Sequence, residues 1–180
     1  MINTGLVGTI LATHSSYATI PLSLQFLTIA LTLIPVSLLM GKFGRRPMFL
    51  IGAMSAFVGC LVIACAIYYK LFSLFIFGSI LLGFSQANQQ FYRYAAADNV
   101  SISLKSKAIS LVLAGGLIAA ILGPEVSRYS FDFFPNYIYL ATYLFAAIIQ
   151  IINFLILIFI NIKKPIPSKN INRPLSNVLL

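Results

Sequence analysis

The sequence predicts an all-α protein that crosses a lipid bilayer several times, a polytopic transmembrane helical bundle. Three observations carry that expectation. Apolar residues make up 60% of the 180 positions and charged residues only 8%, so a soluble fold would lack the polar surface to cover its apolar atoms. Mean hydropathy is +0.98. The apolar residues also fall into runs near the roughly 20 residues that a helix, rising about 1.5 Å per residue, needs to cross the hydrocarbon of a bilayer.

Taken in order, residues 1–13 are apolar and helical in character (Gly5-Leu6-Val7-Gly8-Thr9-Ile10-Leu11-Ala12). A dozen residues cover only about 18 Å, so they read as the outer half of a first helix whose beginning is missing, in a fragment or the product of a shortened gene. The second span, about 20–40, is followed by Lys42, Arg45 and Arg46. The third, 48–69, ends at Lys70, and the fourth, 71–91, ends in Tyr92-Arg93-Tyr94. A fifth, about 108–126, is less apolar and rich in small residues; a sixth, 137–162, ends at Lys163-Lys164-Pro165. Residues 1–162 thus form one membrane domain. Residues 163–180, with Pro165, Pro167 and Pro174 among Asn, Ser and Lys, are expected to be a flexible tail.

Orientation follows from the resistance of Lys and Arg near span ends to translocation. With residues 41–47 placed inside, Lys42, Arg45, Arg46, Arg93, Lys105, Lys107, Lys163, Lys164, Lys169 and Arg173 are cytoplasmic, against Lys70 and Arg128 outside. Tyr68, Tyr69, Tyr129, Phe131, Phe133, Phe134 and Tyr137 then gather at the outer headgroup level, which amphipathic rings favour. The expected location is a cell inner membrane, multi-pass, with loop 41–47 and the tail cytoplasmic. A net charge of +9 scattered between apolar runs forms no basic stripe, so nucleic acid is not an expected partner. Cys60 and Cys65, five apart on one helix, point about 140° apart and do not bridge each other.

The short connection Met40-Gly41-Lys42-Phe43-Gly44-Arg45-Arg46-Pro47 demands a tight hairpin between the second and third spans. Gly44-Arg45-Arg46 with Lys42 two before the glycine resembles the loop motif of the major facilitator superfamily, which usually reads Gly-x-Leu-x-Asp-Arg-x-Gly-Arg-Arg. The alignment puts Gly41 at the Asp and Ser37 at the leading Gly, two departures from the pattern. In the family the Asp of this motif helps to latch the two halves of the transporter through charge and helix-dipole contacts, and Gly41 stands at that position here; the resemblance makes Lys42, Gly44, Arg45 and Arg46 gating candidates. An ordinary positive-inside turn accounts for the arginines equally, though not for Gly44 or the spacing.

In the fifth span Gly115, Ala119, Gly123 and Ser127 recur every four residues on one face, a spacing that lets helix backbones approach closely in lipid. Gly123-Pro124 resembles the Gly-Pro element of the superfamily's fifth helix, which makes Gly115, Ala119, Gly123 and Pro124 a helix-packing motif; plain tight packing explains it too. In the fourth span Gln86, Gln89, Gln90 and Arg93 share one helical face. Lipid penalises such a stripe, so it is expected to meet other helices or a water-filled cavity. In the superfamily the fourth helix lines the central cavity, and the resemblance implies substrate-pathway roles for these four. The alternative for Arg93 is that it snorkels to the headgroups.

The likeness runs from about Gly5 to Ile162. It implies the first half of a twelve-helix protein, six helices with the first truncated, built from inverted three-helix repeats. Glu125 is a coupling candidate, although it falls near the outer interface. Asp98 is expected to pair with a nearby Lys or Arg in the cytoplasmic loop or to cap a helix, and His14 to face solvent. No Cys/His ligand set, phosphate-binding loop, nucleophile elbow or carboxylate dyad is present. An enzyme, a catalytic residue, a metal and a cofactor are therefore not expected.

The expected function is secondary active transport of a small solute by alternating access, driven by a proton or other coupling ion. The partner is a second six-helix half or another copy of the chain. The alternative is a non-transporting membrane scaffold or an inactive remnant of a truncated transporter gene.

Overall fold

A computed structural model describes residues 2–12 and 14–160. The tail 163–180, with Lys163, Lys164, Lys169 and Arg173, lies outside the described residues. Those described form only helices and turns: α1 (Ile2–Leu11), a 3-10 turn (Ser15–Tyr17), α2 (Ile20–Phe43), α3 (Arg45–Tyr69), α4 (Phe72–Gln89), α5 (Tyr92–Asp98), a second 3-10 turn (Ile102–Leu104), α6 (Lys105–Ser130) and α7 (Leu140–Phe159). The chain is all-α. Among the described residues four stretches are long and apolar enough to cross a membrane: Ile20–Phe43, Arg45–Tyr69, Ile102–Ser130 and Leu140–Phe159.

The hairpin is tighter than a loop. α2 ends at Phe43 and α3 begins at Arg45, so one residue separates them. Gly44 turns the chain with φ 94° and ψ 164°, a region open essentially only to glycine, while its N–H still donates to the Met40 carbonyl. At the opposite end of α3, Lys70 sits in the left-handed region and its N–H donates back to the last turn of the helix. The alternation of up and down helices gives the molecule a Gly44 end and a Lys70 end. Arg46 ties the first turn of α3 to the Ile158 carbonyl near the end of α7; at the other end Tyr68 stacks on Tyr137, ring centroids 5.0 Å apart.

α3 is the central helix, packed along α4 and α7, with α2 against the other side of α4. Lipid offers apolar side chains no reason to leave it, so close van der Waals packing must hold these helices together. Glycines make it possible. A Cβ at Gly78 would lie 2.5 Å from Ile63, one at Gly83 2.6 Å from the Gln25 carbonyl, and one at Gly52 2.8 Å from Asn88. Two apolar clusters follow along the bundle. Ile63, Phe75, Tyr143 and Ala147 lie toward the Lys70 end, and Met40, Met48, Phe49 and Leu157 toward the Gly44 end.

α6 stands apart. Of its 26 residues only Ser127 and Ser130 are buried, and its contacts within the chain are chiefly with α5. Leu111 is 74% exposed and Ile121 68%. On a membrane protein such side chains meet lipid or another polypeptide.

Candidate functional site

At the Gly44 end the gating candidates fall into two groups. Gly44 makes the turn, and Arg45 and Arg46 open α3; Lys42 closes α2, its ammonium 5.5 Å above the Phe43 ring. Two cations at a helix N-terminus oppose the helix dipole. Asp98 answers them: its Oδ2 lies 2.7 Å from Arg45 Nη2, with the Arg45 side chain 15% exposed and that of Asp98 38%. The aspartate thus pairs across the fold with the α2–α3 hairpin, not with Lys105 or Lys107 nearby in sequence. Arg46 spends a donor on α7, where carbonyls at a helix C-terminus otherwise lack partners. Arg45 Nη1 and Arg46 Nε remain buried without a partner, and Gly41, where the superfamily's pattern carries an aspartate, has open space around its Cβ position.

The polar stripe of the fourth span is interrupted. α4 stops at Gln89, a tightened turn passes through Gln90 and Phe91, with the Phe91 N–H bonded to the Asn88 carbonyl at 3.1 Å, and α5 starts at Tyr92. Gln86 and Gln89 therefore sit on one helix and Arg93 on the next. Gln86 is half-buried with its Oε1 unpartnered, Gln89 reaches Ser85 at 3.4 Å, and Gln90 is exposed. Arg93 is half-buried, its guanidinium 5.0 Å from the Tyr94 ring centre and its Nε buried without a partner.

Two buried amides complete this interior. Asn88 donates to the Phe84 carbonyl at 3.0 Å, and Gly52 leaves it room. Gln25 was not singled out from the sequence. It is fully buried on α2, and neither its Oε1 nor its Nε2 has a partner. The signal was present: a lone carboxamide in an apolar span is expensive in lipid and therefore marks a candidate.

At the Lys70 end, Ser127 Oγ donates to Asn3 Oδ1 at 2.9 Å, linking α6 to α1. The Ser130 and Thr142 hydroxyls meet at 2.8 Å, linking α6 to α7. Glu125 and Arg128 pair at 3.2 Å one turn apart, both more than half exposed. A cleft of about 620 Å³ opens between α1, α6 and the segment leading into α7. The packing motif divides between the two surfaces: Gly115 lies on the uncovered side of α6, a Cβ built on it meeting nothing within 4 Å, while Gly123 and Pro124 line this cleft.

No solved structure gives a significant match. The riboflavin transporter RfnT of Brucella anthropi is 32% identical over 179 residues, which cover 97% of this chain and 45% of the relative. The chain therefore spans under half the length of this curated relative, in keeping with a bundle whose α6 is uncovered. The sequence pattern of the Major Facilitator Superfamily matches residues 1–179. With apolar helices of spanning length joined by a glycine-turned basic hairpin, this match over essentially the whole chain makes it a multi-pass membrane protein that belongs to the Major Facilitator Superfamily.

Proposed function

We propose that the chain is the first half of a secondary transporter that moves a flavin-type solute across a bacterial inner membrane, the Gly44 end facing the cytoplasm. The observation that carries this is the 32% identity to a riboflavin transporter along 97% of the chain. The uncovered small-residue face of α6 supports assembly with a second six-helix half, because close backbone approach in lipid needs such a face. In the assembled protein the halves rock about a midplane site. Gln86, Gln89, Gln90 and Arg93 form the polar path, Lys42, Gly44, Arg45 and Arg46 act in gating, and Glu125 is the carboxylate assigned to a coupling proton.

The test is riboflavin uptake by membrane vesicles holding this chain with its second half. Saturable uptake that responds to an imposed proton gradient is expected, reduced tenfold or more by Arg93→Ala. Uptake unchanged in Arg93→Ala removes Arg93 from the path; uptake no greater than in vesicles without the chain contradicts transport. One observation favours the second reading, an inactive remnant or scaffold: Arg45 Nη1 and Arg46 Nε stay buried and unpartnered in the hairpin. On that reading no second half restores uptake.

A further inference from the structure

The cleft at the Lys70 end holds more than the bundle requires. Its walls include Asn3, Ala120, Pro124, Ser127, Phe131 and Tyr139, and its volume of about 620 Å³ lies within the roughly 300–1,000 Å³ that small-molecule sites occupy. Three independent features point to a ligand.

The first is a backbone acceptor. Pro124 lies inside α6 and carries no N–H, so the Ala120 carbonyl four residues earlier loses its helical partner. Pro35 inside α2 frees the Leu31 carbonyl in the same way, so such an acceptor bears on a ligand only where it opens on a cavity. Ala120 and Pro124 both line the cleft.

The second is an aromatic wall held by strain. Tyr139 has φ 68°, costly for a bulky residue and a mark of positions that the surroundings hold in place. Its N–H donates to the Phe131 carbonyl at 2.7 Å, closing the loop from 131 to 139. That bond sets the two rings 6.0 Å apart at 46°, both on the cleft. The third is a preset carboxamide. Ser127 donates to Asn3 Oδ1, which orients the amide and leaves its NH₂ as the donor at the mouth.

We propose that this cleft binds a flat, conjugated ring system with hydrogen-bonding edges, within this chain and without the second half. The rings of Phe131 and Tyr139 take the ligand's face, since aromatic pairs gain from offset or edge contact; the Ala120 carbonyl and the Asn3 amide take a donor and an acceptor on its edge. The proposal rests on the assembled protein carrying a flavin-type solute, for which this would be the site at the Lys70 end, apart from the polar path near Arg93.

The experiment uses the full 180-residue chain in detergent. Riboflavin, lumichrome (the ring without its ribityl chain) and ribitol are titrated separately, with quenching of ring fluorescence as the signal and ribitol tested as a competitor. Saturable quenching by both ring probes, undisturbed by ribitol, is expected. Phe131→Ala and Tyr139→Gly should each weaken binding at least tenfold; the glycine keeps the left-handed backbone while removing the ring. Pro124→Ala, which restores the helical bond to Ala120, should weaken binding severalfold while helicity is retained or increased, an outcome damage to the fold would not produce. Leu111→Ala, lipid-facing on α6, should bind like the parent. Absence of saturable quenching in the parent chain, or equal binding in all variants, overturns the site. If the chain binds nothing while the assembled protein takes up riboflavin, the cleft fails and the transporter stands; if the chain binds and no assembly transports, the reverse holds.

Discussion

Glycines on α3 and α4 and glycines on α6 are the same residue under opposite conditions. In the packed body Gly52, Gly59, Gly78 and Gly83 leave no free room for a side chain, with a neighbour 2.5–3.1 Å from where a Cβ would go. On α6 Gly115 and Gly116 face open space, and Gly123 opens on the cleft. Glycines weaken an isolated helix, so a run of them has a use only where something approaches. In the body that approach is complete; on α6 no other described residue makes it.

The contrast breaks most visibly at Gly78. Gly78→Leu drives a side chain into Ile63 and the Gly59 carbonyl. Overpacking of this kind costs about 1–3 kcal/mol or more, and the expected result is a chain that aggregates on detergent extraction, read by size-exclusion chromatography. A Gly78→Leu chain as stable as the parent would mean that α3 and α4 are not in the contact described. Next comes Gly44→Val at the hairpin. A β-branched residue there is expected to cost about 1–3 kcal/mol because φ near 94° is a glycine region, read as a lower thermal midpoint with α2 and α3 still helical.

Asp98→Asn sharpens the comparison at the Gly44 end, where α5 is fastened to the body by charge. A partly exposed pair of this kind is worth on the order of 1 kcal/mol. The cost should nearly vanish when Arg45→Gln is made as well, in a double-mutant cycle; two independent, additive losses would show that the pair is not coupled. The smallest effect is expected on α6. Gly115→Ala should stabilise the chain alone by up to about 1 kcal/mol through helix propensity. The larger Ala119→Leu should leave the lone chain unchanged while reducing riboflavin uptake by the assembled halves.

The fold was legible because lipid imposes a coarse rule: apolar runs of spanning length must be helices, and the structure is all-α. The hairpin was legible for a similar reason, since a connection this short between two spans demands a tight turn; that Gly44 makes it, at a φ of 94°, is visible only in the structure. The expected stripe from Gln86 to Arg93 assumed one continuous helix; the tightened turn at Gln90–Phe91 depends on tertiary packing that no period reveals. Asp98 was read as a partner for a basic residue, but its choice of Arg45, 53 positions earlier, required the hairpin and α5 to meet in space. Gln25 was overlooked because a single carboxamide barely alters the hydropathy of its span. The cleft lay beyond reach because Asn3, Pro124 and Tyr139 come from three separated segments.

The central claim, that α6 carries the face on which a second half docks, is tested most directly by placing a photoreactive phenylalanine analogue at position 119 of the tagged chain in membranes of the cells that make it. Irradiation should join the chain to a second polypeptide of six helices, and Ala119→Leu in an otherwise native competitor chain should fail to displace it. Adducts only with lipid, or only with another copy of this chain, would contradict the account.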